Sequence, residues 1–427
     1  MKNLFGVFLL ALLALTISAC GGGNQATGTK VTVTAVGLGG NPSLISAAAY
    51  QTGDGEWQQL LPDKDGVFSF YVPDGETRYG VAIRCGDNFP LGSAAAMNVF
   101  QFTTNETVSP VAHCMAIGEL SSVSGEIDLS AVGGATRYEI LVPGKSESDT
   151  VSSNDYEVYV PHGGSRDLIA LAEDSSSNIL AARIIRGIDA SNAVVYKDIA
   201  LNSSDALQTH NLAAFSVPSG MDGHFTLSLL TAGGSLYIDS GSGTRSEAGG
   251  PVYAIANAQH GDTYIVEISA DSSSRNSSVL HHTYLDAPDL GSNISLSLNI
   301  APFPAGSTIT VAANPTFATN HPDANIDFYE FVTISPQALL RTYQVSTDWL
   351  GGKTSYTLPG LSSIPGFQKL HPAAGENVHW NSAAIKTSLT LKEYNTQPHA
   401  WVGFMAIPVK AGATLDLAGL WGEYTAP

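Results

Sequence analysis

The residues of this chain best placed to do chemistry are three cysteines, two adjacent histidines, a short acidic run and a late group of tryptophans. His281 and His282 are neighbours. In a strand, neighbouring side chains point to opposite faces, so the two imidazoles are badly placed to share an ion and read as a surface pair. Asp63, Asp65 and Gly66 begin like a calcium loop, but Asp74 stands where a closing Glu is needed and the segment runs into a strand, so it reads as a turn. Trp349, Trp380, Trp401 and Trp421 all lie beyond residue 348, beside polar neighbours such as Asp348, His379, Asn381, His399, Glu423 and Tyr424. Rings flanked by acids and amides suit a platform on which sugar rings stack. The competing use of the same rings is core filling, where each buries about 150–250 Å².

Local catalytic signatures are missing. No His is followed by Glu, which removes the zinc-protease helix, and Gly-x-Ser-x-Gly is absent. There is neither a P-loop nor a dinucleotide fingerprint. No catalytic residue, metal site or cofactor is therefore assigned, and a triad built from distant strands is the enzymatic alternative.

Met1 to Ala19 has a charged start at Lys2, an apolar run from Leu4 to Leu15 and small residues at Ser18 and Ala19, the three-part layout of a secretory signal. The run is short of the roughly 20 residues needed to span a bilayer. Ile17, Ser18, Ala19 and Cys20 resemble a lipobox, in which the cysteine takes a diacylglycerol thioether before cleavage. The resemblance, confined to this segment, implies a bacterial lipoprotein: signal peptide over 1–19, lipid on Cys20, a flexible tether over 20–29, and a membrane partner held through that lipid. Gly21 in place of aspartate implies, by the sorting rule of enteric bacteria, the outer membrane. Once Cys20 is assigned to lipid, Cys85 and Cys114 are left as one pair, either a disulfide worth about 2–4 kcal/mol or two buried thiols.

A chain of 427 residues is too long for one ordinary core and should hold three or four domains. Charged residues are 13 %, against about 25 % in typical soluble domains, the texture of a surface-exposed β-protein. Removing Lys2 with the signal leaves 19 − 1 = 18 basic and 38 acidic residues, a formal charge of 18 − 38 = −20, which argues against nucleic acid as a partner.

Tyr71, Val72, Pro73, Gly75, Arg78 and Ala82 recur 88 residues later as Tyr159, Val160, Pro161, Gly163, Arg166 and Ala170. A weaker third copy pairs His162, Gly163 and Asn178 with His260, Gly261 and Asn276, 98 residues on. A period near 90 residues suits a self-contained sandwich domain. Phe68, Phe70 and Val72 alternate with polar neighbours, as do Tyr79, Val81, Ile83 and Cys85 after the turn at Asp74 and Gly75, a pattern that reads as a hairpin with Cys85 inward. Further strands are expected at 31–36, 138–142, 179–186, 225–230, 264–270, 308–312, 326–334 and 387–394. After Ser335 the choice lies between a short helix started by Pro336 and a strand pair.

The Val-Pro-x-Gly turn in this setting resembles those of fibronectin type III and carboxypeptidase regulatory-like sandwiches. The resemblance is architectural and implies tandem Ig-like or fibronectin III-like β-sandwiches of an all-β protein. The expected division is 30–116, 117–207 and 208–300 for three repeated sandwiches and 301–427 for a distinct β-rich domain. The function expected is that of a non-enzymatic surface display, binding or structural protein of the envelope. The repeats would form a stalk and the last unit would meet a glycan or an envelope protein; the alternative is an envelope hydrolase with its site in that last unit.

Overall fold

The computed structural model describes residues 27–37, 42–86, 96–114, 119–143, 145–149, 154–242, 247–272, 274, 276–304, 307, 309–335, 340–397, 399–402 and 405–427. The expected signal segment, Cys20, most of the expected tether and Pro336 lie outside them, and so does the side chain of Trp401. Strands take 56 % and helices 5 %, which makes the protein all-β.

Three successive stretches share one strand plan. The first contains Thr29–Val36 (β1), Ile45–Thr52 (β2), Gln58–Leu60 (β3), Phe68–Val72 (β4), Arg78–Cys85 (β5), Ala96–Thr103 (β6) and Val111–His113 (β7). They form one sheet ordered β4-β1-β7 and a second run ordered β3-β2-β5-β6. The second stretch has Leu120–Ala131 (β8), Arg137–Val142 (β9), Lys145–Asp149 (β10), Asp155–Pro161 (β11), Ser165–Glu173 (β12), Ile179–Asp189 (β13), Val194–Tyr196 (β14) and Ile199–Asn202 (β15). Its orders, β11-β8-β14 and β10-β9-β12-β13, repeat the plan. The third has Gln208–Ser216 (β16), Asp222–Leu230 (β17), Leu236–Ser242 (β18), Glu247–Ala254 (β19), Thr263–Ser272 (β20), Ser277–Asp286 (β21) and Asn293–Ile294 (β22), ordered β19-β16-β22 and β18-β17-β20-β21. In each, a closing strand runs parallel to the opening one.

The repeated glycine falls between the fourth and fifth strands of each plan. Gly75, Gly163 and Gly261 have φ of 88°, 88° and 94°, a left-handed conformation that a side chain would strain. The chain there crosses from one sheet to the other: β4 pairs with β1, while β5 pairs with β2 and β6. The expected hairpin is thus an arch. Phe70 and Val72 face Tyr79, Val81 and Ile83 across a single core, and period-two alternation is the same for strands that pair and strands that oppose. Asp63 does close a turn, its carboxylate accepting the backbone N–H groups of Asp65 and Val67.

The last stretch comprises Ile309–Thr310 (β23), Thr316–Ala318 (β24), Phe328–Ile334 (β25), Leu340–Ser346 (β26), the short helix Thr347–Leu350 (α1), Ser355–Thr357 (β27), Asn377–Thr387 (β28), the helix Leu391–Thr396 (α2), His399–Val402 (β29), Met405–Pro408 (β30) and Thr414–Thr425 (β31). Strand content was expected over 387–394, but the strand ends at Thr387 and α2 follows. Thr390 accepts the Glu393 N–H and Glu393 takes the Thr390 N–H, a capping box that starts a helix there. At 308–312 only Ile309–Thr310 is paired. A strand pair, β25 and β26, flanks Ser335.

The repeats do not string out as an independent stalk. β25, β26, β28 and β31 sit between the first and third sandwiches in one 12-stranded sheet, ordered β18-β17-β20-β21-β31-β28-β25-β26-β6-β5-β2-β3. β6 joins β26 in parallel and β21 joins β31 antiparallel. An isolated sandwich would leave β6 and β21 as open edges, and pairing satisfies their N–H and C=O groups. The sheet is buried on both faces in its middle. Phe328, Ala383, Ile385 and Leu417 face a core that continues into the first sandwich, and Tyr329, Phe331, Tyr343, Ala384 and Ala418 face another.

β13, the matching edge of the second sandwich, is closed by a side chain. The Asn257 amide accepts from Ile184 N and donates to Ile184 O, at 2.9 and 3.0 Å, as a strand would. Beside it Arg186 binds Asp262 at 2.6 Å and Asp167 at 3.5 Å. Asp262, fully buried, also accepts from Ala232 N and Gln259 N. Leu141, Ile169, Leu171, Ala182 and Ile184 bury the outer face of this sheet in the core of the third sandwich.

Cys85, at the end of β5, is bonded to Cys114, just past β7, with Cα atoms 5.7 Å apart. The bridge ties the two sheets of the first sandwich together, and the equivalent position in the second holds Glu173, which meets Arg137 at 4.0 Å. Replacing both cysteines by alanine is expected to cost about 2–4 kcal/mol, read as a lower urea midpoint of the whole chain.

Candidate functional site

The C-terminal tryptophans do not share one surface. Trp349, on α1, is buried at 7 % exposure, edge-on to Tyr356, with the Lys353 ammonium 5.4 Å from its ring centre. Trp380 is half-buried on β28; its indole lies over Gly422 of β31, where an added Cβ would stand 3.0 Å from the ring. Trp421 is half-buried on β31 opposite Asn381, and the register puts it on the other face of the sheet from Trp380.

His281 and His282 are on opposite faces, but neither is a surface residue, at 6 % and 1 % exposure. Each is buried because it has its own carboxylate. His281 Nδ1 meets Asp416 at 2.7 Å across the β21–β31 seam, and its Nε2 meets the Thr283 hydroxyl at 2.9 Å. His282 Nε2 meets Glu267 at 2.7 Å. Burial raises the Glu267 carboxyl, but the bonds from His282 and Ser269 outweigh it and hold the group below its usual range. No cluster of three metal-ligating side chains occurs among the described residues.

A surface missed in the sequence lies on the second sandwich. Tyr159 on β11, Ser122 on β8 and Val194 on β14 occupy one cross-strand row, with Glu157, Ser124 and Tyr196 in the next. Val194 and Tyr196 are 62 % and 82 % exposed, Tyr159 is 45 % exposed, and Ser122 donates to Glu157 at 2.7 Å. Tyr71 and Tyr253 hold the matching place on β4 and β19 and are exposed too. The sequence signal was present: each tyrosine is flanked by two core residues, Phe70 and Val72, Val158 and Val160, or Val252 and Ala254.

The most unusual chemistry is buried at one end of β25 and β26. Arg341 on β26 is 4 % exposed and stands opposite Thr333 on β25, which stands in turn opposite Trp380. Arg341 Nε and Nη2, Thr333 Oγ1 and Ser335 Oγ all lack a hydrogen-bond partner. Among the described residues the guanidinium meets the Leu370 carbonyl, 3.5 Å from Nη1, and the Tyr424 hydroxyl, whose oxygen accepts from it. Burial lowers the pKa of His371, and the charge of Arg341 lowers it further. Each unmet buried donor costs about 1–3 kcal/mol, and an unpaired buried charge several more.

On the opposite face of the same strand, burial pushes the Glu330 carboxyl up to about 7, with Gln344 donating at 2.7 Å and Tyr394 nearby. The folded protein holds this proton more tightly than the unfolded chain does. The stability it contributes is complete below the ordinary value of 4.5 and is lost as pH rises through about 7. Glu330→Gln is therefore expected to stabilise the protein at pH 8 by about 3 kcal/mol or less and to leave it unchanged at pH 4, in thermal melts compared pH by pH.

No family model matches the chain, and no curated protein does. Several solved structures share its β-sandwich character. The FN1-FN3 domains of chicken CNTN1 are 10 % identical, with 81 % of this chain and 84 % of that one covered at a TM-score of 0.15. A tetra-tandem repeat from the extending region of a large adhesion protein is 10 % identical, covering 93 % of this chain and 100 % of that one at 0.14. The pilus adhesin SpaC of Lactobacillus rhamnosus GG is 10 % identical, covering 75 % of this chain and 44 % of that one at 0.15.

Proposed function

We propose that this chain is a lipid-anchored, non-enzymatic surface protein of the outer membrane that displays a rigid β-body and binds an envelope glycan or protein. The observation that carries the reading is the exposed patch of Tyr159, Val194 and Tyr196, with Glu157 and Ser122 among them, on two adjacent cross-strand rows of one sheet. Aromatic faces of this kind offer large contact area at little entropic cost, and an adjacent carboxylate and hydroxyl bond polar partners. The C-terminal segment contributes to the same purpose through the half-buried rings of Trp380 and Trp421, one on each face of the shared sheet.

A second reading, an envelope hydrolase acting from the C-terminal segment, has one observation in its favour. Asp416, His281 and Thr283 form a carboxylate–imidazole–hydroxyl relay at the seam with the third sandwich. Hydrolysis of ester or amide substrates by the wild type and not by Thr283→Val would establish it.

Two measurements test the main reading. Cys20→Ser should lose acyl labelling and move from the membrane pellet to the soluble fraction; retention in the pellet would remove the anchor. The full chain, titrated with purified envelope polysaccharide and peptidoglycan, should bind one of them, and Tyr159→Ala with Tyr196→Ala should weaken that binding about tenfold. Absence of binding to every fraction would leave only a structural role.

A further inference from the structure

We propose that the Arg341 cluster is a binding site for a carboxylate carried by an acidic sugar. The inference rests on the envelope-binding reading above and adds the chemical class of the ligand. Three observations meet at this place. Arg341 is a permanent cation, nearly all its surface is removed from water, and no carboxylate among the described residues forms an ion pair with it. Its unmet atoms are Nε and Nη2, which form one edge of the guanidinium with two parallel N–H bonds, the edge that takes the two oxygens of a carboxylate. Two further unmet hydroxyls belong to the same corner, Thr333 directly across the strand pair and Ser335 two residues on.

A buried polar group without a partner is rare in a native protein, and four such atoms in one corner call for a common explanation. A bound water satisfies a hydroxyl but leaves the charge uncompensated. An anion with several lone pairs satisfies all four donors together. The polar groups coupled to the guanidinium, the Tyr424 hydroxyl and the His371 imidazole with its lowered pKa, are neutral and leave its charge uncompensated. Trp380 points to a sugar as the carrier. Its ring is on the same face, directly opposite Thr333, and is half-buried. A pyranose ring seated against the indole would direct a ring carboxylate towards the guanidinium.

The test uses the full chain, with glucuronate and galacturonate oligomers, neutral oligomers of the same length, and acetate as the free anion. Saturable binding and a raised melting temperature are expected with the acidic oligomers, weaker binding with acetate, and none at this site with the neutral oligomers. Arg341→Lys keeps the charge but loses the paired N–H edge, and should weaken acidic binding about tenfold or more. Arg341→Met separates a ligand site from a structural one. Removing an unpaired buried charge should raise the melting temperature of the free protein while abolishing the acidic-oligomer shift, whereas a structural arginine would leave the variant less stable. Thr333→Val should fold normally and bind more weakly. Equal responses of wild type and Arg341→Met to acidic oligomers, or no response of the wild type to any carboxylate, would overturn the site. Retained binding of envelope fractions by Arg341→Met, lost on Tyr159→Ala with Tyr196→Ala, would overturn this inference and leave the broader reading standing.

Discussion

The sheet edge is the constraint on which the rest of this structure depends. Each repeated sandwich places its sixth strand at the border of its larger sheet, and an unpaired border is costly when buried and prone to aggregate when exposed. The chain closes the three borders in two ways. β6 and β21 are closed by the strands of the C-terminal segment, which thereby becomes the middle of the molecule. β13 is closed by the Asn257 amide and fixed by the Arg186 pairs with Asp262 and Asp167. The arrangement of the four stretches follows from these closures.

Burial on both faces explains why the strands nearest the closures are so apolar. Leu168, Ala170 and Ala172 fill the second sandwich while Ile169 and Leu171 fill the core of the third. Against that background the charged groups in the sheet interior stand out. His281 and His282 are each hydrogen-bonded to a carboxylate on an adjacent strand, and Glu330 is accommodated by taking up a proton. Arg341 has neither solution among the described residues. A guanidinium cannot discharge itself as a carboxyl can, and that difference is what the proposed ligand site rests on.

Much of the fold was legible in the sequence, because the features that define a sandwich are local or periodic. The recurrence of Tyr-Val-Pro-x-Gly marked the arch between sheets, and its glycine is held at a backbone angle few other residues tolerate. The inward phase of Cys85 was also readable and led to Cys114. What period-two alternation could not distinguish was a strand that pairs with its neighbour from one that faces it across a core, which turned the expected hairpin into an arch. Edge-to-edge joining was hidden for a related reason: the partners β6 and β26, or β21 and β31, are far apart in the chain and carry no mutual sequence mark. The candidate site was the least legible part. Arg341, Thr333 and Ser335 are unremarkable in sequence, and their significance comes from unmet hydrogen bonds that only three-dimensional packing reveals. Tyr159 was legible only as a mark of the repeat and Tyr196 not at all, because the parallel pairing of β14 with β8 is what brings them to one face.

The central position of β31 has a consequence for how the protein is made. β31 comes after every other described strand, yet it lies between β21 and β28, inside the longest sheet. While the chain emerges from its N-terminal side, the first and third sandwiches carry open borders for as long as this strand is missing. Completion of the fold therefore waits for residues 414–425, and the interval before they arrive is when partial chains can pair with one another. A protein assembled in this order depends on being kept apart from its own copies until this strand is delivered.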